Sequence, residues 1–259
     1  MFKIAISNQK GGCGKTTSSI NLAAGLAYKG RKVLLIDLDP QGNSTIGLGI
    51  KTDNRQTVAE LLCQEECEFK DIVQDTYIEG LHILPADVSL AVADLKLAQI
   101  QAKEFVLRSK LTDVNYDYII IDTSPTFGTL LTNAILAVDH IILPVGLNFF
   151  NLAGMQNLVD TINHTNKKVG HLINHRAEIL GVLFTFFKMS TNHSKRIFDA
   201  INELFGDKVF ETKIPENVKL QESQEAAKAI FDFAPNSSSA IAYGKFTEEL
   251  EKRLSYVRN

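Results

Sequence analysis

The chain predicts a doubly wound α/β fold, a mainly parallel sheet with helices on both faces. Three observations carry that expectation. Short runs rich in Ile, Val and Leu recur along the sequence, and the segments between them are long enough for helices. The runs are also continuously apolar rather than alternating, as strands covered on both faces are.

In order, the predicted strands are 3–7, 32–37, 81–85, 118–123, 140–145, 179–187 and 209–214. The first predicted helix, 16–28, has Ile20, Ala23, Ala24 and Ala27 at helical spacing, and Gly30 follows as its C-cap. No repeat or low-complexity tract divides the chain. The best loop candidate, 235–239 (PNSSS), is too short for a linker, so a single domain over 1–259 is expected.

With 45% hydrophobic and 22% charged residues in 259, the composition is that of an ordinary globular protein. A net charge of -3 gives no global attraction to nucleic acid or acidic lipid, so binding to either would need a local patch. Cys13, Cys63 and Cys67 are few and odd in number, which suggests free thiols in a reducing compartment. Strand-like residues begin at Phe2, leaving no room for a signal peptide, and no apolar run approaches the ~20 residues of a membrane span. A cytoplasmic protein is expected.

The chemistry begins at 7–17, SNQKGGCGKTT, placed between the first strand and the first helix. A glycine loop there aims backbone N–H groups and the positive end of the helix dipole at one spot, where an anion settles. Gly11, Gly12 and Gly14 let the backbone approach; Lys15 reaches β and γ phosphate oxygens, Thr16 suits a Mg²⁺ shell, and Thr17 suits the α-phosphate. The usual phosphate-loop pattern wants Gly where Gln9 stands and has no use for Lys10. Cys13, inside the loop, reads as a small packing residue ahead of a redox one.

The stretch 33–45, VLLIDLDPQGNST, sets Asp37 and Asp39 at the carboxyl end of the second strand, the edge where open α/β sheets bind ligands. Two carboxylates on one turn suit water or metal handling. The stretch 116–125, YDYIIIDTSP, ends in Asp122 and has the form of a Walker B segment, whose aspartate holds Mg²⁺ directly or through water.

With KGGCGKTTSSINLA, VLLIDLDPQGNST, YIIIDTSP, ILPVGLNFFNLAGMQNL and IPENVKLQES in this order, the chain resembles the ParA family of ATPases with a deviant phosphate loop. That group partitions plasmids and chromosomes and includes MinD and the nitrogenase iron protein. The resemblance implies a P-loop fold, ATP and Mg²⁺ as cofactors, and ATP hydrolysis. It makes Lys10 the signature lysine that enters a second subunit's site, so that a homodimer sandwiches two ATP molecules. Asp39 would position the attacking water, Asp122 would support Mg²⁺, Asp37 would stand behind it or on the metal side, and Pro215 and Asn217 would lie beside adenine.

Within the family, no cysteine follows Cys67, so no iron–sulfur cluster is expected. The terminal segment has Phe246, Leu250, Leu254 and Val257 at helical spacing beside Lys252, Arg253 and Arg258. That would suit a MinD-like membrane helix, the alternative function, but Glu248, Glu249 and Glu251 oppose anionic lipid and docking on the sheet is preferred. The partition branch implies a nucleoid-associated bacterial ATPase that binds DNA without sequence specificity and is stimulated by a ParB-like partner. Candidate DNA contacts are Lys188, Lys195, Arg196, Lys213 and Lys219. The small form, without an N-terminal DNA-reading domain, is expected because Met1 abuts the first strand. Glu216 and Asp232 stand where relatives often carry a basic residue, alanines in 225–230 stand where a Gly and a Pro are common, and Ser124 replaces the first Pro of D-x-P-P. His171 and His175 read as surface or packing histidines.

Overall fold

Among the described residues eight strands form one sheet: β1 (Phe2–Ile6), β2 (Val33–Leu38), β3 (Gln74–Asp75), β4 (Leu81–Leu84), β5 (Tyr118–Thr123), β6 (His140–Gly146), β7 (Glu178–Phe187) and β8 (Val209–Pro215). Their order is β3-β4-β2-β5-β1-β6-β7-β8, and every neighbouring pair is parallel except β3 with β4. The computed structural model describes residues 1–53, 55–147 and 152–257. Part of the stretch ILPVGLNFFNLAGMQNL therefore lies outside the described residues.

The continuous apolar runs bury both faces. Leu34, Ile36, Ile119 and Ile121 enter the core on one side of the sheet, while Val33, Leu35, Tyr118 and Ile120 enter the other. The strand period of two thus operates inside sequences that do not alternate in polarity. Each predicted strand is present to within one residue at either end. The strand missed, β3, is a two-residue antiparallel edge with no apolar run to announce it.

Helix α1 (Lys15–Tyr28) follows β1 and packs on one face of the sheet. It ends as the sequence suggests: Gly30 N–H donates to Ala27 O at 2.8 Å and Arg31 N–H to Leu26 O at 3.1 Å, a Schellman closure. The connection from β1 runs to β2 on one side of it and that from β5 runs to β6 on the other, which opens a crevice at the carboxyl ends of β1 and β5.

The terminal helix Ser238–Val257 covers α1 and β8. Phe246, Leu250 and Leu254 are completely buried, and the Phe246 ring stands edge-on to Phe210 with centroids 5.0 Å apart. Its acidic face has work of its own, since the Glu249 carboxylate accepts from Glu211 N–H at 2.8 Å and Thr212 N–H at 2.9 Å. Arg253 bridges Glu249 at 2.9 Å and Val209 O at 2.7 Å. The exposed edge of β8 is blunted by side chains instead of another strand. The apolar stripe proposed for a membrane helix is thus consumed in docking; Arg258 lies outside the described residues, as does the side chain of Val257. Among the described residues no helix is long and apolar enough to cross a membrane.

Candidate nucleotide site

At the crevice, the loop between β1 and α1 is held from three sides. The Asn8 side chain donates to Pro144 O at 2.7 Å and accepts from Lys10 N–H at 3.0 Å, tying the loop entrance to β6. The Thr185 hydroxyl donates to Cys13 O at 2.8 Å, tying its middle to β7. Lys15 Nζ lies 3.2 Å from Lys10 O across the loop. Gly14, at φ +83°, begins α1, and a Cβ there would meet Phe186 and Thr185 at 3.2–3.3 Å. No side chain caps α1, so its first N–H groups face the crevice.

A cavity of about 870 Å³ opens over this loop. Its walls bring together the predicted Gly11, Gly12, Gly14, Lys15, Thr16, Thr17 and Asp39. Lys10 and Cys13 do not line it: Lys10 is exposed and Cys13 is buried, its thiol pushed up from its ordinary range by burial. The three cysteines are free, as expected.

Asp37 and Asp122 sit side by side in register on β2 and β5, completely buried behind the cavity. Asp37 accepts from Thr45 N–H at 2.9 Å, the Thr45 hydroxyl at 2.8 Å and Asp39 N–H at 3.2 Å. Asp122 accepts from the Ser44 hydroxyl at 2.8 Å, the Ser19 hydroxyl at 3.1 Å and the Thr16 hydroxyl. Burial pushes both carboxyls above the usual range. A cation near Thr16 would relieve that unfavourable charge.

Both Asp37 oxygens accept from the 39–45 turn, and one of those donors is Asp39 N–H. Asp39 is buried against the cavity and accepts from Gln41 N–H at 3.0 Å. Gly42, at φ +60°, completes the turn where a Cβ would lie 2.7 Å from Ala86 O, so glycine is required.

Pro215 and Asn217 are not brought to this cavity. Pro215 lines a separate cleft with Thr212 and Lys245, and Asn217 caps helix Val218–Glu225 by accepting from Lys219 N–H at 2.9 Å. The wall beyond the loop is made by Phe186, Leu220, Gln221 and Gln224. Gln224 donates to the Thr17 hydroxyl at 2.8 Å. Sequence reasoning missed these four; the stretch VKLQES was the available signal for three, reading one residue further for Gln224. Ser124 lies on the opposite wall with its hydroxyl 2.9 Å from that of Thr126.

The candidate DNA lysines are mostly engaged elsewhere. Lys188 pairs with Glu216 at 3.6 Å and Lys219 with Glu222 at 2.7 Å. Lys213 Nζ stands over the Phe187 and Phe198 rings at 5.7 and 5.5 Å. Lys195 and Arg196 are exposed on helix Asn192–Phe205 without an ion pair among the described residues. Asp232 accepts from the Tyr28 hydroxyl at 2.6 Å and the Tyr77 hydroxyl at 3.2 Å. His171 and His175 line a polar cleft with Lys167 and Arg176, just before β7 begins and away from the nucleotide edge.

Residues 1–178 match the family model described as an AAA domain. The chain is 42% identical over 250 residues to the sporulation initiation inhibitor protein Soj of Bacillus subtilis, covering 95% of this chain and 97% of that one. It is 38% identical over 252 residues to the chromosome-partitioning ATPase Soj of Thermus thermophilus, covering 97% and 96% respectively. Among solved structures, cobyrinic acid a,c-diamide synthase of Mycobacterium smegmatis with bound ADP and magnesium superposes with a TM-score of 0.84 at 29% identity, covering 98% of this chain and 95% of that one.

Proposed function

Because the chain belongs to the ParA family of partition ATPases, we propose that it is a single-domain switch over 1–259 in which two copies clamp two ATP molecules, bind DNA, and let go on hydrolysis. The chain is an ATPase, and its reaction is attack of water on the γ-phosphate to give ADP and phosphate.

The observation that carries the reading is the uncapped start of α1, set in one cavity with Lys15, Thr16, Thr17 and Asp39. Backbone N–H groups and Lys15 bind the phosphates, and Thr17 adjoins the α-phosphate. Mg²⁺, when bound, neutralises charge on the β and γ oxygens; the Thr16 hydroxyl and Asp122 would hold it. Two buried carboxylates with few positive neighbours suit that cation better than they suit an empty site. Asp39 orients the attacking water, and Asp37 fixes Asp39 through its backbone.

Lys10 is assigned to the second copy's phosphates. Its backbone is pinned by Asn8 while its side chain is exposed outside its own cavity, which supports delivery in trans. Adenine is assigned to the wall of Phe186, Leu220 and Gln221, with Pro215 and Asn217 shaping the turn before it. Lys195 and Arg196 are the favoured DNA contacts, a ParB-like protein is the favoured stimulator, and the bacterial nucleoid within the cytoplasm is the expected location. The MinD-like alternative gains no support from a terminal helix whose Phe246, Leu250 and Leu254 are buried.

The deciding experiment measures phosphate release and mass by light scattering, with ATP and Mg²⁺, for wild type, Asp39→Ala and Lys10→Ala. Asp39→Ala should abolish release while retaining ATP, and Lys10→Ala should bind ATP as a monomer. A Lys10→Ala protein that dimerises like wild type would refute the trans assignment. For DNA, ATP-dependent pelleting should weaken steeply with salt and further in Lys195→Ala/Arg196→Ala.

A further inference from the structure

Asp94, on helix Ser89–Leu97, is a carboxylate of the cavity wall with no part in the binding of phosphate or Mg²⁺ assigned above. Its Oδ1 is buried and has no hydrogen-bond partner among the described residues. It stands against the start of helix Thr129–Ala137: a Cβ on Gly128 would lie 3.2 Å from Asp94 Oδ2 and 3.9 Å from Oδ1. Gly128 is in extended backbone that any residue adopts, so what glycine secures here is the close approach. No side chain caps that helix. A carboxylate from another helix thus stands at the positive end of its dipole.

The segment before that helix ties the contact to the reaction. β2 and β5 pair Leu38 with Thr123, so Asp39 and Ser124 leave the sheet side by side. Ser124, Pro125 and Thr126 then line the cavity, and Gly128 begins the helix. One end of this short loop is fixed through Asp122, whose carboxylate accepts from the Ser19 and Ser44 hydroxyls. We propose that Asp94 fixes the other end and is thereby a positioning residue for ATP hydrolysis, holding the Ser124–Gly128 loop in place beside Asp39. The buried, unpaired Oδ1 suits that part. Such an acceptor costs free energy unless a donor reaches it, and hydrogen bonds that serve catalysis often tighten only around bound substrate. The first-turn N–H groups of helix Thr129–Ala137, which no side chain caps, are donors of the right kind. The inference rests on the role given to Asp39 above and adds a residue that acts on the same reacting end.

The test measures phosphate release with ATP and Mg²⁺, affinity for a fluorescent ATP analogue, and mass by light scattering. It compares wild type, Asp94→Ala, Gly128→Ala and the double variant. The first removes the carboxylate, and the second sets a Cβ against it. Each single variant should lower kcat about tenfold with ATP affinity and assembly unchanged, since a displaced loop harms the transition state more than binding. The double variant should be little slower than either single one, because both changes break the same contact. Wild-type kcat in Asp94→Ala, ATP affinity lost in step with kcat, or a changed mass with ATP would each overturn the inference. Fully additive losses in the double variant would overturn it too, by removing the route through Gly128. Should Asp94→Ala fail to fold, Gly128→Ala decides by the same readings of kcat, affinity and mass. Turnover retained in Asp39→Ala would overturn the Asp39 assignment instead, and the coupling between positions 94 and 128 is read independently of that variant.

Discussion

Asp37 and Thr45, eight residues apart, are joined twice: the backbone N–H of Thr45 donates to Asp37 Oδ2 at 2.9 Å and its hydroxyl donates to the same oxygen at 2.8 Å. The hydroxyl oxygen also accepts from Ala86 N–H at 2.9 Å, so one side chain links β2, the 39–45 turn and the segment after β4. Asp39 sits inside that closed turn. Thr45→Val keeps the shape and removes the hydroxyl, leaving buried partners unsatisfied at a cost of about 1–3 kcal/mol. Urea unfolding should record that loss. Phosphate release should fall more than ATP affinity, because the phosphate-binding N–H groups belong to a different loop. Equal losses in both would show that the turn does not act through Asp39.

Ala227 adopts φ +51° immediately after helix Val218–Glu225, a left-handed conformation that costs a residue with a Cβ. Ala227→Gly is expected to stabilise the protein by about 1 kcal/mol, relieving that strain. A thermal midpoint unchanged or lowered would contradict it.

The terminal helix is part of the core rather than an appendage. Leu250→Ala should cost about 2–5 kcal/mol, the range for truncating a buried leucine. Chemical denaturation gives the number directly. Lipid vesicles should not protect the variant, since the leucine faces Phe246 and the sheet rather than a membrane.

His140 and His175 are buried, and each has a ring nitrogen without a partner among the described residues, Nδ1 and Nε2 respectively. Burial lowers both below the ordinary 6.5. Their folded state resists protonation that the unfolded chain accepts, so their contribution is present above pH 6.5 and is lost as pH falls through the folded values. Thermal midpoints should decline as pH falls below 6.5, and His140→Asn/His175→Asn should flatten that decline whatever its midpoint at neutral pH. A slope identical to wild type would assign the pH dependence to other groups.

The strands and the phosphate loop were legible because both are local. A run such as VLLIDL reports its own burial, and the loop's glycines and lysine are contiguous between β1 and α1. Asn8 and Phe186 carried no such signal, since their partners lie on β6 and the loop across the crevice. The charge around the candidate DNA lysines is likewise set by tertiary neighbours: Glu216 and Glu222 pair with Lys188 and Lys219.

By itself, then, the sequence determined the parallel sheet, the phosphate loop at its switch point and the second lysine that a single pocket does not need. Hydrophobic continuity and short-range glycine geometry are written in neighbouring residues. Only the tertiary structure decided that Asp37 accepts from Asp39 N–H, that the terminal helix is buried, that most candidate DNA lysines are engaged, and that one oxygen of Asp94 is buried beside Gly128. Each of those depends on hydrogen bonds, ion pairs or solvent exposure between segments that folding brings together, and spacing along the chain does not encode them.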